Sequence, residues 1–150
     1  MKAYNAAFLT MAWIVSLCCP VTAQQACRLT VRGKSGASVG SIESDGDIRD
    51  AGGRYLGQFR DGTVRDRSGV LIGRVDAGGS IRDRSGVSIG KVEDDGDLRN
   101  RSGAYIGKIE NDGDVRDRSG ALQGRLQGYS SSCRFAAAAY LFLFEPLHLQ

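Results

Sequence analysis

The chain has 150 residues, of which 20 are basic and 17 acidic, for a formal net charge of +3. That length allows one domain, and the near balance of charge argues against a nucleic-acid binder, which needs a basic patch or a large positive charge. Glycine, at 21 residues, is about twice its usual share, and the composition by itself names no activity.

The first segment reads as an address. Met1-Lys2 is a short basic start, residues 6–19 carry no charge, and Val21-Thr22-Ala23 supplies small residues at a cut. That order predicts a secretory signal peptide over 1–23, cleaved after Ala23 to leave Gln24 first. The apolar run is too short to span a bilayer comfortably, so a membrane anchor is the weaker reading. Lipidation at Cys18 or Cys19 is disfavoured because Ser16-Leu17 lacks the small residue expected just before such a cysteine. Cleavage removes Trp13, Cys18 and Cys19 and leaves Cys27 and Cys133, for which an oxidising compartment predicts a disulfide.

Residues 24–128 form the repeat domain. All 21 glycines lie between Gly33 and Gly128. One series runs Gly36, Gly53, Gly69, Gly86, Gly103, Gly120, and a second runs Gly40, Gly57, Gly73, Gly90, Gly107, Gly124, both at 16–17-residue spacing. Each unit has two turn signals. Asp66-Arg67-Ser68-Gly69 and its copies have the Asp and Gly of a type I turn. Asp45-Gly46, Asp61-Gly62, Asp95-Gly96 and Asp112-Gly113 are hairpin signals, expected to place both residues at positive φ. The five to seven residues between turns are strand length, and β-branched residues dominate them. The mid-strand glycines of the Gly40 series predict a bulge or a close approach of backbones.

A lone hairpin is unstable, so several must share a core. The first strand, Leu29 to Arg32, has no preceding partner and the last, Leu122 to Leu126, has no following one. Their pairing would close a ring, with Cys27 and Cys133 flanking the join. The predicted fold is therefore all-β, a propeller-like ring of short hairpins, with five- or six-fold symmetry left open. The tail, 129–150, contains ten apolar residues from Phe135 to Phe144 with four consecutive alanines. They predict a short C-terminal helix that plugs or caps the array. The rival reading is a contact with a membrane or another copy.

The recurring G-x-x-h-G-x-h … D-G-D-h-R-D-R-S-G unit over residues 29–126, after a signal peptide, resembles the five-fold β-flower proteins. The resemblance implies a small secreted bacterial protein whose hairpins radiate round an axis, and it implies no catalytic residue.

Several residues are candidates for chemistry. Arg65, Arg82, Arg99 and Arg116 occupy one equivalent position and would line up as an anion-binding row. The competing reading is a cross-strand ladder of ion pairs with turn-capping aspartates, favoured because residues 33–128 hold 16 basic and 16 acidic residues. Asp95, Asp97, Asp112 and Asp114 lie in acidic turns that offer oxygens to calcium, although their spacing is not that of a known calcium loop. Tyr55 and Tyr105 share a position, too few for a sugar-stacking surface. The only histidine, His148, lies outside the repeats, so no Ser-His or Cys-His pair is offered by them. No glycine motif opens a helix, which removes the phosphate-loop context.

These readings converge on a non-enzymatic secreted or periplasmic module of the bacterial envelope, with no cofactor and with an envelope polysaccharide or protein as partner. No nucleic acid is expected as a partner, and no transmembrane span in the mature chain. One alternative is a carboxylate-based polysaccharide hydrolase or lyase, which needs a carboxylate of raised pKa. The other is calcium-dependent adhesion.

Overall fold

The glycine rhythm becomes an unbroken succession of strands. The computed structural model describes residues 27–144; the leader 1–23, Cys18, Cys19, Trp13 and His148 lie outside them. The strands are β1 Leu29–Gly33, β2 Ser38–Ile42, β3 Asp47–Asp50, β4 Tyr55–Arg60, β5 Thr63–Asp66, β6 Leu71–Val75, β7 Ser80–Asp83, β8 Ser88–Val92, β9 Asp97–Asn100, β10 Tyr105–Ile109, β11 Asp114–Asp117 and β12 Leu122–Gln127. A single 3-10 turn, Ser131–Cys133, leads into α1, Arg134–Leu143. Each strand pairs antiparallel with its neighbours in sequence, and β12 pairs with β1, so the sheet is a closed barrel.

Twelve strands make six two-stranded units round the ring. The closing register is Thr30↔Gln127, Val31↔Leu126, Arg32↔Arg125 and Gly33↔Gly124. Cys27 and Cys133 form a disulfide beside this seam, with their Cα atoms 5.3 Å apart. Closure abolishes the unpaired strand edges that an open array would have to cap.

Alternate residues point inward, as the pleat requires. Val31, Ile48, Val64, Ile81, Leu98 and Val115 form one inward set, each at 0% exposure. Ile42, Val75, Val92, Ile109 and Leu126 are buried beside them. The series Val39, Leu56, Ile72, Ile89, Ile106 has a different fate. In each unit the register slips at this residue, so it and the following glycine oppose one residue of the preceding strand. This is a β-bulge, and the bulged side chains are half-buried against the core. The glycine after each bulge is needed for space. A Cβ at Gly73 would sit 2.6 Å from the Arg82 carbonyl oxygen and 2.8 Å from Leu143 Cδ1.

The two turn types also separate. At the Asp-Gly end, the Glu43 N–H donates to Asp47 O (2.8 Å) and the Gly46 N–H to Glu43 O (2.9 Å). This is a three-residue connection in which only the glycine takes positive φ. The units at Asp76, Glu93 and Glu110 repeat it. The expected two-residue turn occurs only at Asp61-Gly62, with φ of 50° and 73°, between paired Arg60 and Thr63. That is the unit shortened by one residue, so the 16-residue spacing is a change of turn type.

α1 lies inside the ring. Ala136 through Leu141 are six consecutive buried residues, and at 3.6 residues per turn they cover every face of the helix. Its start is tied to the β8–β9 turn, where Arg134 Nη1 donates to Asp94 O (2.9 Å) and Nη2 to Asp94 Oδ1 (2.8 Å). It leans on β6, β7 and β8, and Tyr140 crosses to the opposite wall, donating to Val39 O at 3.4 Å. Burial, with a smaller contribution from Asp50, pushes the Tyr140 phenol up to about 12. Alanine suits the lumen because wall side chains already occupy most of it, and a larger residue would overpack the space.

Candidate functional site

The outer face carries the predicted arginine row, and each of its guanidinium groups bonds within the protein. Arg32, Arg49, Arg65, Arg82, Arg99 and Arg116 each donate Nη1 to the carbonyl of the glycine four residues on, at 2.9–3.2 Å. In three units Nε also reaches a carboxylate: Arg82 to Asp76 (2.7 Å), Arg99 to Glu93 (2.9 Å) and Arg116 to Glu110 (3.1 Å). Each guanidinium therefore locks a turn at one end of the barrel to an acid from the other. Of the four arginines expected to bind an anion, Arg82, Arg99 and Arg116 are held in this way. Arg65 keeps its bond to Gly69 O (3.0 Å), but the place of Asp76, Glu93 or Glu110 is taken in its unit by Arg60.

The acidic turns do bring carboxylates together. Ligand atoms of Glu93, Asp95 and Asp97 lie within 4.8 Å of one another, and so do those of Glu110, Asp112 and Asp114. Both groups already hold protein cations. Lys108 Nζ sits 3.0 Å from Asp97 and 3.9 Å from Asp95. Arg125 and Arg116 flank Asp114 at 2.5 and 3.4 Å. The hydrogen bond from Arg125 holds the Asp114 carboxyl below its usual range, outweighing burial. The hydrogen bond to Asp97 raises Lys108. Asp95 and Asp112 also accept the N–H two residues on, at 3.1 and 3.0 Å, and so shape their own turns. A calcium ion would compete with these ammonium and guanidinium groups for the carboxylates.

The carboxylates at the other end are turn caps. Asp66 Oδ1 accepts from Ser68 N–H (2.8 Å) and Val70 N–H (3.0 Å), and Asp83 and Asp117 do the same in their turns. The Ser119 hydroxyl, then Gln123 and two backbone N–H groups, hold Asp117 at about 2. A general acid needs the opposite shift.

Sequence reasoning missed the sorting of charge between the two ends. In a closed antiparallel ring, successive turns point to opposite ends. The turn tips 34–37, 51–54, 67–70, 84–87, 101–104 and 118–121 share one end, and each holds one cation and no acid: Lys34, Arg54, Arg67, Arg84, Arg101 and Arg118. All are exposed. The other end carries Asp45, Asp61, Asp94, Asp95 and Asp112 at its tips, with the disulfide. The signal available was the arginine of Asp-Arg-Ser-Gly, which recurs although no turn geometry asks for it.

In a comparison with known families, the 5-fold beta-flower protein family matches residues 28–144. No curated protein and no solved structure matches the chain.

Proposed function

Because the chain belongs to the five-fold β-flower family, we propose that it is a non-enzymatic module of the bacterial cell envelope, secreted or periplasmic, that works by presenting its surface to a partner. The observation that carries this reading is the filled lumen. Barrels that bind small molecules hold them inside, and here α1 and the inward aliphatic residues occupy that space. On the outer belt many of the charged side chains are engaged with one another, so the turn ends remain as the contact surfaces.

Two features support the extracytoplasmic reading. The order of residues 1–23 is that of a secretory leader, and the Cys27–Cys133 bond requires oxidation, which the cytosol opposes. No helix among the described residues is long and apolar enough to cross a membrane. The strands, at four to six residues, are far below the ~9–11 that a membrane-spanning strand needs.

The test is expression of the full chain with its own leader in a bacterium, followed by fractionation and intact mass. The expected product lies outside the cytoplasm, begins at Gln24 and gains two hydrogens on reduction. An uncleaved, reduced chain in the cytoplasm would overturn the reading. Release of products from envelope polysaccharides by the purified protein would overturn its non-enzymatic part.

A further inference from the structure

We propose that the basic end of the barrel docks on an anionic lipid surface. This rests on the extracytoplasmic reading above and goes beyond it by naming the partner. The argument starts from segregation. Each of the six turns at this end carries one exposed Lys or Arg at its tip and no acid. The aspartates beneath them, Asp50, Asp66, Asp83 and Asp117, are bound to turn N–H groups, and each is preceded by a further arginine. Every unit therefore has an excess of positive charge at this end, while the acids of the Asp-Gly turns face the other way.

The second observation is apolar. Among the described residues, the exposed large hydrophobic side chains are Val70 (52%), Val87 (42%), Leu122 (38%) and Tyr105 (37%). All four belong to this basic end: Val70 and Val87 lie in its turns, and Tyr105 and Leu122 open strands that leave it. α1 also runs toward this mouth, where Phe142 and Leu143 pack beside Gly90 and Gly73 and remain half-buried. None of the four exposed side chains lies at the acidic end, where Phe59 and Tyr129 are half-buried beside Gly46 and Gly113.

The combination selects the partner. Cations alone would suit any polyanion. Cations interleaved with exposed valine, leucine and tyrosine fit a phosphate headgroup layer, where charge meets the headgroups and apolar groups enter the acyl boundary. The geometry agrees, because a ring of turns at one end of a barrel meets a plane, whereas a linear polymer calls for a track along the surface. The chain entry and the disulfide lie at the opposite end and stay clear of the contact.

The test uses the processed, oxidised protein and flotation with vesicles of phosphatidylcholine alone, or mixed in equal parts with phosphatidylglycerol. Binding is expected only to the anionic vesicles, falling steeply with salt. The variant carrying R67A, R84A, R101A and R118A should fold, because Ala51 already occupies the equivalent place in its own turn; circular dichroism verifies this. It should lose about a hundredfold or more in partitioning. Val70→Ser with Val87→Ser should weaken the binding that persists at high salt, and Asp45→Asn with Asp95→Asn at the far end should leave binding undiminished. No enrichment on anionic vesicles, or equal binding by the folded arginine variant, overturns the proposal. Capture by dextran sulfate without vesicle binding also overturns it and assigns the ring to a soluble polyanion. Fractionation reads the compartment independently, so failure here is distinguishable from failure of the envelope reading.

Discussion

Removing the disulfide tests the closure argument most directly. Eleven of the twelve strand pairings join strands consecutive in sequence, and β1–β12 alone lacks a connecting turn. Cys27 and Cys133 are 106 residues apart in sequence and bracket that seam. Loop-closure entropy for a loop of this length gives about 4.7 kcal/mol at 25 °C. For a domain of this size, 1 kcal/mol moves the unfolding midpoint by roughly 3–5 °C, so Cys27→Ser with Cys133→Ser should lower it by about 15–20 °C. Thermal circular dichroism of the wild type and the double variant measures the shift. Native-state hydrogen exchange locates it: protection should fall first at residues 30–33 and 124–127, which pair across the seam. A drop below about 5 °C, or a loss of protection spread evenly round the ring, would refute the idea that the bond staples the join.

Three further outcomes are expected. Gly90→Ala should destabilise by about 3 kcal/mol or more, because its Cβ would meet the Arg99 carbonyl oxygen at 2.8 Å and Phe142 Cζ at 2.6 Å; a urea midpoint within error of wild type would contradict the close-approach account. Asp117 has its folded pKa lowered from 3.8 to about 2, so the stability it supplies is present above its unfolded value and is lost as pH falls through that interval. Asn100 makes the same two backbone bonds in its turn at 3.0 Å. Asp117→Asn should therefore leave neutral-pH stability nearly unchanged and flatten the acid limb of a urea-midpoint series; an unchanged acid limb would sink the assignment. Excess calcium in place of EDTA should leave the melting midpoint unmoved, since Lys108 and Arg125 already neutralise Asp97 and Asp114; a rise of several degrees would show that these carboxylates capture the ion.

Local chemistry made much of the architecture legible. Asp66, Ser68 and Gly69 form their turn from bonds within five residues, so the turn is written where it occurs. The same holds for the alternation that places Ile48, Val64 and Ile81 inward and the arginines outward. The Asp-Gly geometry was less legible, because the length of the connection decides whether the aspartate must take positive φ. Only the shortened unit at Asp61 requires it. The candidate site was read unevenly. The arginine row and the acidic turns were visible as residues, but their partners were not. Arg125 and Asp114 meet across paired strands, and Arg134 and Asp94 lie 40 residues apart.

The sequence by itself determined the strand length, the two turn families, the cysteine pair and the helical tail, because each depends on backbone preferences or side chains a few residues apart. The tertiary structure decided the number of units in the ring, the threading of α1 through the lumen and the separation of charge between the ends. Along the chain, acids and bases alternate and nearly cancel. Closure of an antiparallel ring sends successive turns to opposite ends, so the same alternation in sequence becomes a division in space, with cations and exposed apolar residues on one face and acids on the other.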